Sequence, residues 1–363
     1  MINIHLHLKS QGVENPRLYL EGHILKIWKS LNPTYSHDSK TYQSSSLIGR
    51  LENSIRKIKS KNSKFISVHC NNSEKDASLL LKYLLYLQKN DYKKLRETIA
   101  SPPVELEVLI SEAQGYLPDS LLFSYTSKGP KQTSMGKFLS KSLFNYTNYR
   151  SKNYCHNFFK DIGFDSATCP YCNEGKIKIV RKSNSRTEAK LLFHLDHFYP
   201  KSIFPYLSLS VFNHIPSCDT CNTSYKGDSI FKIETHIHPY HQSFHDIYSF
   251  RLEPNEIQNE NIKSISIVNN GIKPLDCTSK DFGIEYRYRD RTVFRKSSKL
   301  VKTYKDYSHF LLKPELSHVF KDMLYNMHDI PKSEQEIIEK EYGKLYIDIL
   351  KNIADMKLSD SNN

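Results

Sequence analysis

Two cysteine pairs, each with two residues between its members, stand in the middle of the chain: Cys169/Cys172 and Cys218/Cys221. Four thiolates make a closed tetrahedral set for zinc, and soft sulfur excludes magnesium or calcium. Between the pairs lies the dipeptide Asp196-His197; Asn213 precedes the second pair, and Asn222 and Lys226 follow it. Carboxylate and amide oxygens are hard ligands of the kind Mg²⁺ or Mn²⁺ takes. An imidazole titrates near neutral pH, as a general base should. Phosphodiester cleavage needs such a base, a water, and positive charge on the developing oxyanion. The expected roles are His197 as base, Asp196 and Asn222 as ligands of one cation, and Asn213 as a holder of the imidazole. Lys226, about one helical turn past Asn222, would reach the phosphate.

The 45 residues between the pairs (173–217) must hold structure of their own. Lys176-Ile177-Lys178-Ile179-Val180 and Leu191-Leu192-Phe193-His194-Leu195 suit two strands joined by a polar turn near Asn184-Ser185. Cys169/Cys172 then forms a knuckle before the hairpin, and Cys218/Cys221 opens a helix. Structural zinc of this kind contributes on the order of 10 kcal/mol to folding, enough to fix the surrounding loops.

Four segments carry a family resemblance: Cys169-Pro170-Tyr171-Cys172; Leu195-Asp196-His197-Phe198-Tyr199-Pro200-Lys201-Ser202; Phe212-Asn213-His214-Ile215-Pro216-Ser217-Cys218; and Cys221-Asn222 with Lys226. Together they resemble the HNH endonucleases. That resemblance implies a ββα-metal fold, the base role for His197, cation binding by Asp196 and Asn222, and the orienting role for Asn213. The third position of the family name is Asn222 rather than His, a common variant. The resemblance covers roughly residues 165–250, including His238-Pro239-Tyr240, and leaves 1–150 and 310–363 untouched. A small module with large flanks also resembles nucleases of bacterial anti-phage systems, among them the HNH partner of Septu-type ATPases. An ATPase is therefore an expected protein partner.

His236, His238, His241 and His245 fit no clean zinc spacing and are read as packing or surface residues. His194, two residues before Asp196, would share its face on a strand. Cys70, Cys155 and Cys277 are scattered and read as small buried side chains.

A net charge of +13, from 52 basic and 39 acidic residues, calls for a polyanionic partner, nucleic acid or a membrane surface. There is no apolar run of 18 residues to span a bilayer, and the first residues lack the basic and apolar regions of a signal peptide. Nucleic acid is the better expectation, DNA before RNA, and the cytoplasm the expected compartment.

The flanks must position this module. Residues 1–150 read as mostly helical. Leu18, Leu20, Ile24, Leu25, Ile27 and Trp28 form one stripe, and Leu47, Ile48, Leu51, Ile55 and Ile58 a second. A third helix is expected from Glu74 to Thr98 and a short acidic one from Val104 to Leu117. Ser127 to Tyr154, rich in Lys, Arg and aromatics, reads as a helix touching phosphates or a solvated basic face. Candidate strands are Ile247–Phe250, Ile262–Val268 and Phe282–Tyr286. The run Arg287, Arg289, Arg291, Arg295, Lys296, Lys299, Lys302, Lys305 reads as a solvated face or a phosphate contact. Two helices broken near Ile330-Pro331 and a polar tail after Lys357 close the chain. The fold class is thus α+β, in three regions: 1–150 helical, 151–250 the HNH-like module with its zinc site, and 251–363 a basic β-containing and helical extension.

Two functions follow from different classes: a metal-dependent nuclease acting on DNA (or RNA), and a zinc-stabilised nucleic-acid binding protein with a dead site. The intact Asp196, His197 and Asn222 favour the first.

Overall fold

The leucine stripes of the first third fold as helices, each started by a polar cap. Pro16–Leu31 opens with Asn15 accepting from the Leu18 amide and Pro16 in the first turn. Its inward face is Leu20, Ile24, Ile27, Trp28 and Leu31; Leu18 and Leu25, seven residues apart, share the outward face instead. Leu47–Lys59 is capped by Ser46 and buries its whole expected stripe. The computed structural model describes residues 3–36, 41–181 and 189–360. The turn expected near Asn184-Ser185 and the end of the tail lie outside them.

The long helix Glu74–Ala100 is interrupted. Lys89 is extended, and Asn90, Asp91 and Tyr92 follow in the left-handed region at φ 53°, 52° and 59°. Such residues cost energy unless their surroundings hold them, and the Tyr92 hydroxyl is anchored on Glu52 at 2.5 Å. The acidic segment folds as the turn Pro103–Glu105 and the helix Leu106–Gln114. The basic, aromatic stretch after Ser127 is not one helix. A hairpin of β1 (Phe123–Thr126) and β2 (Gly129–Gln132) leads into the short helices Ser134–Lys137, Phe138–Leu143, Tyr146–Arg150 and Asn153–Asp161. Asn145, left-handed at φ 46°, breaks the run and caps the third.

In the middle, β3 (Ser166–Thr168), β4 (Lys176–Arg181) and β5 (Ala189–Leu191) form an antiparallel sheet. A separate hairpin pairs β6 (His194–His197) with β7 (His214–Ser217), placing His197 opposite His214 and Asp196 opposite Ile215. The expected strand Leu191–Leu195 is therefore split between two sheets. A wide helical turn, Thr220–Lys226, follows β7 at once and ends with Gly227 N–H bonded to the Asn222 carbonyl, 3.0 Å. The order is strand, strand, helix.

Beyond this, β8 (Tyr248–Arg251) pairs with β9 (Ser266–Asn269). The expected strand Phe282–Tyr286 is instead part of the helical pair Thr278–Asp281 and Ile284–Tyr288. Its apparent alternation fails at Tyr286, which is exposed, while Ile284 and Tyr288, four apart, are buried together. Gly283 joins the two helices at φ 57°, and a Cβ there would lie 2.5 Å from the Tyr225 ring. The basic run forms the helix Arg291–Tyr307, capped by Asp290, with Val293, Ser297, Leu300 and Val301 turned inward. Helices Pro314–His328 and Gly343–Asp360 complete the chain.

One hydrophobic cluster runs from Ile4 to Ile353. The ends of the chain meet the middle: Ile4 N–H donates to the Pro239 carbonyl at 2.9 Å, and the Thr168 hydroxyl to the Ile338 carbonyl at 2.7 Å. The architecture is α+β, with many short helices around small antiparallel sheets. Among the described residues no helix is long and apolar enough to cross a membrane.

Candidate functional site

Cys169 and Cys172 lie in the turn between β3 and β4, Cys218 just after β7, and Cys221 in the first turn of the helical segment that follows. All four sulfurs fall within 4.8 Å of one another, with Cys172 Sγ 3.9 Å from Cys218 Sγ. Four bonds of about 2.3 Å to a tetrahedral centre would put sulfurs about 3.8 Å apart. All four are free thiols. The amides of Glu174 and Cys221 approach Cys172 Sγ and Cys218 Sγ at 3.5 Å, as in a metal knuckle. Gly175 makes room: a Cβ there would sit 3.0 Å from the Cys218 Cβ. This cluster is a candidate metal site.

Its supports come from far along the chain. Arg287 reaches Cys221 Sγ with Nη1 at 3.2 Å and Glu174 Oε2 with Nε at 2.9 Å. Its cation is therefore taken up by the Cys221 sulfur and the Glu174 carboxylate instead of facing solvent, which removes it from the phosphate-contact reading of the basic run. Tyr288 donates to the Cys172 carbonyl at 2.6 Å. Asn173, left-handed at φ 54°, donates Nδ2 to Thr168 Oγ1, Ile337 O and Lys340 O, and accepts from the Lys344 amide at 3.0 Å.

Strand alternation sends Asp196 and His197 to opposite faces of β6. The strand ends at His197, and a cavity of about 370 Å³ at this end is bordered by both residues together with Asn222, Tyr146, Arg150 and Lys201. The His197 ring lies edge-on to Tyr146 and His214, with centroids at 4.6 and 4.8 Å. Its Nε2 is 3.3 Å from the Ser208 carbonyl. A carbonyl only accepts, so the proton sits on Nε2 and the lone pair is left on Nδ1. Burial, then His214 and Lys201, hold its pKa well below the ordinary value, which keeps the ring neutral at pH 7.

Asp196 is buried and both its oxygens are engaged. Tyr171, inside the first knuckle, donates to Oδ2 at 2.7 Å, and Lys226 Nζ is 3.2 Å from Oδ1. The Lys226 ammonium is itself buried, donates to the His197 carbonyl at 2.8 Å and lies over the Phe231 ring. The structure thus brings Lys226 to Asp196 rather than to the cavity. Asn213 also differs in detail from expectation. Its amide accepts from Tyr199 N–H at 2.7 Å and donates to the Tyr199 and Leu207 carbonyls. It clamps the loop between β6 and β7, and so sets the imidazole through Ser208 without touching the ring.

Sequence reasoning gave no role to His214, Tyr171 or Tyr146. His214 donates Nε2 to the same Ser208 carbonyl at 2.9 Å. Its signal was its place after Asn213, where hairpin pairing sets it against His197. Arg150 holds the Phe193 carbonyl at 2.8 Å with Nη2, while its Nε is buried and makes no hydrogen bond within the described residues. Lys201 Nζ sits 4.2 Å above the Tyr146 ring centre. His194 borders the cavity and pairs with Asp219 at 3.1 Å. His236 stacks on Phe231 and pairs with Asp281, and His238 packs on Phe198. Cys70 and Cys155 are buried, and burial pushes their thiols up to about 11 and about 12.

Neither a family model, nor a curated protein, nor a solved structure is similar enough to the chain to count.

Proposed function

We propose that the chain is a metal-dependent endonuclease of the HNH type, hydrolysing phosphodiester bonds in DNA, in the cytoplasm and in anti-phage defence with an ATPase partner. The observation that carries the chemistry is the shared cavity. Asp196, His197 and Asn222, from a hairpin and the helical turn after it, border one hollow beside the cations Arg150 and Lys201. Zinc is the proposed occupant of the four-sulfur cluster, because the donors are soft and spaced for a tetrahedron. Asp196 and Asn222 would hold Mg²⁺ or Mn²⁺, which when bound supplies positive charge to the scissile phosphate. Arg150 and Lys201 bind the phosphate oxygens. His197 Nδ1 takes a proton from water as the water oxygen bonds to phosphorus and the bond to the leaving sugar oxygen breaks. The Ser208 carbonyl holds the ring in the tautomer that this step needs.

One observation favours a second reading, a zinc-stabilised nucleic-acid binding protein without activity. Lys226 already neutralises Asp196 from 3.2 Å, so a divalent cation must share the carboxylate with an ammonium.

Plasmid, linear DNA and RNA incubated with the full chain and Mg²⁺, Mn²⁺ or chelator separate the readings. Cation-dependent cleavage that falls about 10²–10⁴-fold in His197→Ala, with unchanged circular dichroism, supports the nuclease. Binding without cleavage under every cation supports the second reading.

A further inference from the structure

Far along the chain, a cavity of about 280 Å³ lies between helix Arg291–Tyr307, the end of helix Pro314–His328 and the start of helix Gly343–Asp360. Two of the residues that border it carry an orphaned, buried polar atom. Tyr346 is 5% exposed, and neither its hydroxyl nor His328 Nε2 makes a hydrogen bond within the described residues. Native proteins leave few such groups unpaired, since each costs about 1–3 kcal/mol. Lys296 and Lys299, one helical turn apart on the same helix, border the same hollow, and neither forms an ion pair among the described residues. The two carboxylates that also border it are already matched, Asp329 by Lys340 at 2.5 Å and Glu341 by Lys176 at 3.7 Å. The uncompensated charge facing the cavity is therefore positive. Burial and then Lys299 hold the His328 pKa below its ordinary value, so its ring is neutral and can donate one N–H.

We infer that this cavity is a binding site for a small phosphate monoester, its phosphoryl group held by Lys296, Lys299, Tyr346 and His328. Two ammoniums, a phenol and an imidazole supply donors for the terminal oxygens of one phosphate. The volume leaves room for a sugar-sized group, whose hydroxyls can donate to Asp329 and Glu341. The cavity floor is anchored, because the Tyr342 amide donates to the Asn173 carbonyl at 2.7 Å and the Lys344 amide to Asn173 Oδ1.

The test is calorimetric titration of the full chain with ribose 5-phosphate and, separately, inorganic phosphate. Saturable binding of the sugar phosphate is expected, about tenfold tighter than phosphate alone. The double change Lys296→Ala/Lys299→Ala, at exposed positions, weakens it at least about tenfold, and Tyr346→Phe, which keeps the ring, by about three- to tenfold. Lys201→Ala, in the other cleft, leaves it unchanged. Absence of saturable binding to the folded wild type at about 10 mM, or binding that survives the double change or vanishes with Lys201→Ala, overturns the site. Equal affinity for both probes overturns the ester assignment.

Discussion

Tyr171 donates its hydroxyl to Asp196 Oδ2 at 2.7 Å, joining the interior of the first cysteine knuckle to the acidic residue of the cleft. Tyr171 is fully buried and stacked on Phe282 with ring centroids 4.5 Å apart, so it has little freedom to release that oxygen. Any metal that orders the knuckle thereby also aims the carboxylate.

Tyr171→Phe deletes this bond and nothing else. Leaving a buried acceptor short of one partner costs about 1–3 kcal/mol. Cleavage should fall about tenfold at limiting Mn²⁺ and recover as Mn²⁺ rises, while zinc content by atomic absorption stays at the wild-type value. Cleavage independent of this hydroxyl at every Mn²⁺ concentration would detach the knuckle from the cleft.

Native mass spectrometry should find one zinc ion per chain bound at the four sulfurs. Cys172→Ser, or a strong chelator, removes it along with folding free energy on the order of 10 kcal/mol, so the apo chain should lose its cooperative thermal transition. An apo form that melts like the wild type is incompatible with a structural ion.

Lys226→Ala leaves Asp196 charged and buried without its partner, a loss of about 3–5 kcal/mol. If Asp196 also binds a divalent cation, Mn²⁺ should restore part of that stability, read as a rise in the urea midpoint. A mutant indifferent to Mn²⁺ would favour the inactive reading.

Acid should destabilise the fold before most carboxylates titrate. Burial lowers His214 and His238 to about 3, against about 6.5 in the unfolded chain. Below pH 6.5 the unfolded state takes protons that the folded state refuses, so this stability is complete above 6.5 and is lost as pH falls toward 3. Each histidine contributes a slope of about 1.4 kcal/mol per pH unit. Urea midpoints should drop between pH 7 and pH 5, and His238→Gln should flatten that drop. A midpoint that holds or rises on acidification contradicts the burial of these rings.

The clustering of the four cysteines was legible from their spacing, and Asp196, His197 and Asn222, picked out by residue type, do border one cavity. The amphipathic helices were legible from spacing too, apart from Leu18 and Leu25, where composition suggested burial and phase denied it. Other features depend on contacts distant in sequence. Nothing near Lys226 announces that its ammonium will be taken by Asp196, and nothing near Arg287 that it will serve Cys221. Phe282–Tyr286 alternates like a strand, yet Gly283 and the Tyr225 ring it must pass make it helical. The π-like width of Thr220–Lys226 and the left-handed run at Asn90–Tyr92 are likewise set by packing rather than by propensity.

Asn173 has one further consequence. Its side-chain amide is satisfied almost wholly by backbone groups from Ile337 to Lys344. The thiolate knuckle is thus no transplantable cassette. A fragment cut out at residues 151–250 would carry every metal ligand, yet it would leave this asparagine buried nowhere and bonded only to Thr168. Relatives with shortened C-terminal ends should have replaced Asn173 by a residue content with its own turn, such as glycine.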